Sequence, residues 1–502
     1  MPDNWQRRIE EFERRQAVAR AMGGPDRLAR QHGRGRMDAR ARIEELVDAG
    51  SFREIGTLVG SADDAPADGL VTGVGRIDGR PVAIGSEDFT VMGGSIGPGT
   101  AAKRYRIAEL AGSERMPLVL LLDGAGARAT NSTQRHSRSP GDLQMVTRLS
   151  GMVPTVAVVM GASAGHGALV APLMDVTFMV QGGAIFAAGP PLVAVATGER
   201  VDAETLGGAD TQVGSGVVHN VTATEAEALD LVRRYLSYMP SSAWELPPRH
   251  MVPAGAQAGP RRLDGILDVV PANGARPYDM HRVLDLLTDD AHWLELQPGF
   301  GRSILTVLAR LGGEAVMIIA NQPKVKAGAI DSDAANKATH FVELADSYRL
   351  PLVFLTDNPG VLAGTAAERA GILRAGARFY AAQHRASTVK LHVTFRKAFG
   401  FGSSVMAMNP FDGQTISYCF PEVRLAAMPG RGASSASGAV GVEAEALEAA
   451  DRAGGYRAAQ NLSFDEMIDP RDLRNALLDG LAMSVGRRRL AGGPVMRSGI
   501  RP

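Results

Sequence analysis

Two glycine-rich turns are the first places where this sequence can do chemistry. VAVVMGASAGHGAL (156–169) runs from an apolar stretch into Gly161, Ala162, Ser163, Ala164, Gly165, His166 and Gly167. VTFRKAFGFGSSVM (393–406) does the same with Gly400, Phe401, Gly402, Ser403 and Ser404. Small residues between a strand and a helix expose the backbone N–H groups at the helix start. Those groups have no intrahelical partner and sit at the positive end of the dipole. Two of them aimed at one carbonyl oxygen form an oxyanion hole, worth about 2.7–4 kcal/mol per donor. A single turn of this kind also arises from close packing alone. The same turn present twice favours function. No HExxH, GxSxG or P-loop accompanies the turns, and neither calcium loops nor paired Cys/His spacings occur. No metal site is expected.

The turns recur because the chain is written twice. LVTGVGRIDGRPVAIGSEDFTVMGGSIG (70–97) matches ILTVLARLGGEAVMIIANQPKVKAGAID (304–331). Val82 and Val316, Gly94 and Gly328, Lys103 and Lys337, Asp123 and Asp357, and Gly126 and Gly360 all share one offset, 234, without a gap. The second turn aligns with the first once two more residues are inserted, at an offset of 236. A period this long marks a duplicated domain and not a solenoid repeat. The Pro/Gly-rich stretch 239–279 reads as an ordered linker. The expected domains are 1–255 and 256–502.

Within each copy, short apolar runs (117–122, 155–160, 176–180; then 316–320, 351–355, 390–395) read as buried strands. Amphipathic segments (101–112, 224–238; then 333–348, 366–384) read as helices. Strands alternating with helices predict an α/β fold with parallel strands. The stretch 1–55 reads as a helical packing cap, and 429–441 (PGRGASSASGAVG) as a flexible surface loop.

Bulk properties narrow the function. The 54 basic and 54 acidic residues balance, which argues against a general nucleic-acid binder. Arg487-Arg488-Arg489 reads as an exposed helix end. One cysteine, Cys419, makes no internal disulfide and suits a reducing cytoplasm. The charged N-terminus is not a signal core, and no run approaches the length of a membrane span.

At these motifs the chain resembles the carboxyltransferase (β) subunits of propionyl-CoA and related biotin-dependent acyl-CoA carboxylases. The carrying residues are EDFTVMGGSIGPGTAAK (87–103), DGAGAR (123–128), GASAGHGALVAPLMDVTFMV (161–180) and TGERVDAETLGGAD (197–210). They continue in ANQPKVKAGAIDSDAANKATHFVE (320–343), TDNPGVLAGT (356–365), RKAFGFGSSVM (396–406) and DEMIDP (465–470). The resemblance implies two tandem crotonase-like (ClpP/crotonase spiral) domains related by internal duplication. The first would bind an acyl-CoA and hold its thioester enolate on the N–H groups of Gly165 and His166. The second would hold the ureido oxygen of carboxybiotin on those of Phe401 and Gly402. Gly93, Gly94, Ser95, Ala125, Gly126, Ser163 and Ala164, with Gly360, Gly400, Ser403 and Ser404, would line the two substrates. In this family the ureido anion left after CO₂ release serves as the base, so no catalytic side chain is needed.

Several positions depart from the family pattern. His166 and Phe401 stand where relatives carry Gly. Ala125-Gly126 replaces a Gly-Gly pair. Ser403 and Ser404 stand where relatives often have Tyr and Asp, which implies a wider pocket and a bulkier or polar acyl chain. His166 supplies either its N–H alone or also a side chain in the acyl pocket. No biotinylation motif, biotin carboxylase domain or zinc ribbon is present, so biotin would arrive on a separate biotin carboxylase/carrier chain. The resemblance further implies a hexamer with active sites across dimer interfaces. Three rivals remain at this point: a biotin-dependent decarboxylase or transcarboxylase subunit, a biotin-independent crotonase-type enzyme using His166, and a non-catalytic scaffold.

Overall fold

The computed structural model describes residues 5–60, 65–129, 141–250, 258–452 and 454–489. The chain divides between Ser237 and Tyr238 into two compact units.

The first unit opens with helices α1 (Trp5–Arg20), α2 (Pro25–His32) and α3 (Ala39–Leu46). Its sheet holds β1 (Arg53–Ile55), β2 (Leu70–Ile77), β3 (Arg80–Glu87), β4 (Leu118–Gly124), β5 (Thr155–Ala164), β6 (Val176–Val180), β7 (Ala184–Phe186) and β8 (Asn220–Thr222). The order is β1-β2-β3-β4-β5-β6-β8, and β7 pairs with the end of β5. From β3 onward every pairing is parallel, as alternating strands and helices predict. The pairings β1–β2 and β2–β3 are antiparallel, which corrects the expectation of a purely parallel sheet. The cause is a two-residue turn at Asp78-Gly79, both with positive φ (50° and 75°), the geometry a tight hairpin demands. Helices α4 (Pro98–Ser113) and α5 (Asp142–Leu149) pack together, and α6 (Gly165–Ala168) follows β5. Helix α7 (Glu225–Tyr238) ends the pattern.

The second unit repeats this plan. Its sheet holds β9 (Trp293–Leu296), β10 (Ile304–Leu311), β11 (Glu314–Asn321), β12 (Leu352–Asn358), β13 (Lys390–Phe399), β14 (Ile416–Cys419), β15 (Arg424–Ala426) and β16 (Glu466–Met467). The order is β16-β14-β13-β12-β11-β10-β9, with β15 beside the end of β13. Gly312-Gly313 makes the β10–β11 hairpin and matches Asp78-Gly79 at the offset of the repeat. β4 and β12 are buried along their whole length, so they read as unbroken apolar runs and not as alternation.

Helices α8 (Ser332–Ser347), α9 (Thr365–Arg369), α10 (Ile372–Arg385) and α11 (Gly400–Val405) follow. The helix expected over 366–384 is broken at Gly371, whose φ of 79° cannot continue a right-handed helix. The segment 429–441 is not a loop along its whole length. Gly430–Ser437 forms α12, packed on α13 (Val442–Arg452). Ser434 and Ser437 satisfy their hydroxyls on carbonyls four residues back, and a Cβ on Gly430 would lie 2.9 Å from the Cα of Glu448. Small residues here serve helix contact. Helix α14 (Gly454–Gln460) completes this side. Arg487 and Arg488 donate to the carbonyls of Gly413 and Ser387 and to Glu314, which ties down the last described helix. Among the described residues no helix is long and apolar enough to cross a membrane.

Candidate functional site

The two glycine turns open α6 and α11. Gly165 and Gly400 are the first residues of those helices, with φ of 55° and 54°. An L side chain is strained at that angle, which accounts for glycine at both. The strand register fixes how the turns correspond. Leu118 pairs with Thr155 and Gly124 with Ser163; in the duplicate Leu352 pairs with Lys390 and Asn358 with Ala398. The steps from 155 to 390 and from 163 to 398 both give an offset of 235, so the insertion before the second turn is a single residue and not a pair. Gly165-His166 therefore corresponds to Gly400-Phe401, and Gly167 to Gly402. The pairing of Gly165-His166 with Phe401-Gly402 is corrected by one position. At both turns the first N–H groups have no intrahelical partner.

The glycines flanking each turn are demanded by close approach. Met92–Gly94 and Lys326–Gly328 form matching tight turns. A Cβ on Gly94 would lie 2.4 Å from the carbonyl oxygen of Asp123, and one on Gly328 would lie 2.4 Å from that of Asp357. Ala125 N donates to Gly93 O (2.9 Å) and Ile96 N to Gly126 O (2.7 Å). Ile330 N donates to Gly360 O (3.1 Å) in the duplicate. Gly126 in turn approaches the carbonyl of Ala164. The structure thus brings Gly93, Gly94, Ala125, Gly126, Ser163, Ala164 and Gly165 to one end of the first sheet. Ser95 is held beside them by Arg128, which donates to its hydroxyl (3.2 Å) and carbonyl (2.9 Å) and pairs with buried Asp68 at 2.6 Å. In the second unit a Cβ on Gly402 would lie 2.4 Å from Asn358 Oδ1. The Ser403 hydroxyl donates to Gly400 O at 2.7 Å, and Ser404 O accepts Gln383 Nε2 at 3.0 Å. A cavity of about 640 Å³ opens there, lined by Ala398, Gly400, Ser403, Leu425, Ala433 and Arg457 among others. Phe401 is not among its walls: the ring leans on Tyr380 of α10, centroids 5.8 Å apart.

Beneath the first turn runs a chain of charges that the motifs did not reveal. His166 Nε2 lies 2.8 Å from Asp142 Oδ1, and Arg104 Nη1 lies 3.4 Å from Asp142 Oδ2. Arg104 also pairs with Glu87, which accepts the backbone N–H of Asp123 at 2.7 Å. Asp123 is held by Arg36 and Arg42, both at 3.0 Å, and Arg42 continues to Glu225 at 2.6 Å. Burial pushes the Glu87 carboxyl up, against the opposing charge of Arg104. Burial also acts on Asp142, but the hydrogen bond from His166 and the charge of Arg104 outweigh it and hold that carboxyl below the usual range. In the second unit Arg396 pairs with Asp357 (2.7 Å) and stacks on Tyr278. Among the described residues no group of three or more His, Cys, Asp or Glu could hold a metal ion.

Residues 30–491 match the model of the carboxyl transferase domain. The chain belongs to that family. It is an enzyme, built of two tandem crotonase-like units. The propionyl-CoA carboxylase carboxyltransferase subunit of Haloferax mediterranei is 36% identical over 96% of this chain and 97% of its own. The methylmalonyl-CoA decarboxylase subunit alpha of Veillonella parvula is also 36% identical, over 96% and 97%. The crystal structure of transcarboxylase 12S with methylmalonyl-coenzyme A and methylmalonic acid bound, a hexamer assembly, superposes with a TM-score of 0.91. It is 32% identical and covers 100% of both chains. A carboxyl transferase needs one place for the carboxyl donor and one for the acceptor, and the fold presents its turn twice.

Proposed function

We propose that this chain is the carboxyltransferase subunit of a biotin-dependent acyl-CoA carboxylase, taking an acyl-CoA in its first unit and carboxybiotin in its second. The observation that carries the reading is one turn built twice, at Gly165-His166 and Gly400-Phe401, each at the end of a parallel strand and the start of a helix. Both turns offer backbone N–H groups to an oxygen that gains negative charge, and each donor contributes about 2.7–4 kcal/mol.

In the first unit the N–H groups of Gly165 and His166 take the thioester oxygen as it becomes an enolate. Gly93, Gly94, Ala125 and Gly126, drawn in close beside that turn, would border the acyl group, and Arg128 fixes Ser95 beside it. In the second unit the turn fits a ureido oxygen. Gly402 has no Cβ where one would collide with Asn358, and the Phe401 ring is turned against Tyr380. Gly400, Phe401 and Gly402 would hold biotin there through backbone N–H groups. Bound in that place, the carboxylated biotin supplies the carboxyl group and the base for the α-proton. The chain contributes position, charge stabilisation and exclusion of water.

The partner is a separate biotinylated chain, the assembly a homohexamer like transcarboxylase 12S, and the location the cytoplasm. The similarity to a methylmalonyl-CoA decarboxylase subunit supports a second reading, in which the same site runs in the opposite direction. Co-purification from the native cell tests both. A streptavidin-reactive partner with biotin carboxylase activity, and ATP- and bicarbonate-dependent carboxylation of propionyl-CoA, is the expected result. Recovery of a membrane decarboxylase partner would favour the reverse direction. Acyl-CoA turnover untouched by avidin would refute both.

A further inference from the structure

The duplication supplies an internal control for the charges beneath the first turn. Glu87 and Arg104 align, at the offset of the repeat, with Asn321 and Ala338 on matching strands and helices. His166 corresponds to Phe401. The second copy therefore builds the same sheet, helix and turn without a cation at 338, a carboxylate at 321 or an imidazole in the turn. There the side chain lies over Gly376 and Tyr380 of the helix preceding its strand. In the first copy it reaches Asp142 of the helix preceding its strand. Removing charges from water is costly, and buried pairs are no stronger than apolar packing of the same shape. The fold does not need His166–Asp142–Arg104–Glu87, yet the copy with the thioester turn has it.

The pair has the geometry of an oriented base. Asp142 is buried, with a side chain 4% exposed, while the His166 side chain is 40% exposed. With Asp142 ionised and accepting, Nε2 carries the proton of the neutral ring and Nδ1 is left with its lone pair. Arg104, itself braced by Glu87, fixes Asp142 from the other side.

We propose that His166, oriented by Asp142, exchanges protons at the α-carbon of the bound thioester, so that this chain catalyses α-proton exchange of acyl-CoA without any biotin partner. The inference rests on the reading of the first turn as the thioester site. His166 Nδ1 takes the α-proton: the C–H bond breaks, an N–H bond forms, and the electron pair passes to the thioester oxygen, held by the turn's N–H groups. The imidazolium exchanges its proton with water and returns one to the α-carbon. Nothing is oxidised or consumed.

The test uses the full chain alone with propionyl-CoA in D₂O, without ATP, bicarbonate or partner, and α-deuterium read by mass spectrometry. Exchange well above the buffer rate is expected, falling about 100-fold in His166→Gln with unchanged melting. Asp142→Asn, which alters a positioning residue, should lower kcat for exchange about tenfold and leave KM for propionyl-CoA in place. No exchange by a preparation that carboxylates propionyl-CoA with its partner overturns this inference and leaves the carboxylase reading standing. No exchange and no carboxylation overturns both. Exchange that persists in folded His166→Gln overturns the inference too. If that variant does not fold, full exchange in Asp142→Asn does the same.

Discussion

Glu87 holds the end of β4 by accepting the backbone N–H of Asp123 at 2.7 Å. Asn321 performs the same service for Asp357 at 3.0 Å, with an amide in place of a carboxylate. The N–H needs an acceptor, therefore, and not a charge. Arg104→Ala alone leaves Glu87 and Asp142 buried without their cation and should cost about 3–5 kcal/mol. Glu87→Asn/Arg104→Ala copies the second unit and should recover about 1–3 kcal/mol of that loss through coupling. Urea unfolding midpoints of the two single variants and the double would measure it. Additive effects would show that Glu87 has a purpose beyond Arg104 and this N–H.

Two buried lysines make a second paired prediction. Lys337 Nζ donates to the carbonyls of Gln297 (2.8 Å), Phe300 (3.1 Å) and Ile304 (2.9 Å). Lys103 donates to Ala67 and to Leu70, the counterpart of Ile304. Replacement by Met strands carbonyls at about 1–3 kcal/mol each, so Lys337→Met should destabilise more than Lys103→Met. Burial pulls both ammonium groups down to about 8. From there to the ordinary lysine value of 10.5 the unfolded chain binds the proton and the folded chain does not. Stability rises with pH where the unfolded state holds more protons. Wild-type stability relative to Lys337→Met should therefore climb between about pH 8 and 10.5, and a flat difference would count against this account.

How legible the molecule was in its sequence depends on the range of the interaction. The strands at 117–122 and 351–355 were visible because burial on both faces leaves nothing but apolar residues. The turns at Gly165 and Gly400 were visible because a positive φ favours glycine. The hairpins were written in Asp78-Gly79 and Gly312-Gly313, a signal outweighed by the surrounding strand–helix alternation. The one-residue slip at the second turn was hidden because FGFG accepts two registers, and the strand pairings of Leu352 with Lys390 and of Asn358 with Ala398 select between them. The link from Glu87 through Arg104 and Asp142 to His166 joins residues far apart along the chain. None of them forms a local motif, so only the folded chain puts them in line.

Glycine at 94 should prove far more restrictive than glycine at 79, although both have positive φ. A Cβ at Gly79 meets nothing within 4 Å, whereas one at Gly94 would lie 2.4 Å from the Asp123 carbonyl. Gly79→Ala should cost about 1 kcal/mol, the conformational part alone. Gly94→Ala must also move the turn that carries Ser95, and should lower carboxylation at least tenfold. Similar activity in the two variants would remove the turn from the site.

Cys419 should be silent to thiol reagents in the native protein. It is fully buried against Val423 and Phe464, and burial pushes its thiol well up from the ordinary value. The thiolate is the reactive form. A disulfide-exchange reagent should therefore release colour only on unfolding, with one equivalent per chain. Rapid reaction without denaturant would mean that β14 opens locally.

Ser403 borders the cavity beside Gly400, and its hydroxyl is already satisfied by the Gly400 carbonyl. A larger side chain at this wall would take up part of the open space. Ser403→Tyr should narrow the cavity at the cost of the hydrogen bond to the Gly400 carbonyl, about 1 kcal/mol. That space adjoins the turn proposed for carboxybiotin, so kcat/KM should fall for propionyl-CoA and by the same factor for butyryl- or longer acyl-CoA. A methylene in an apolar pocket is worth about 1–3 kcal/mol of discrimination. A loss that grows with acyl length would therefore mean that the cavity takes the acyl chain and not the carboxyl donor.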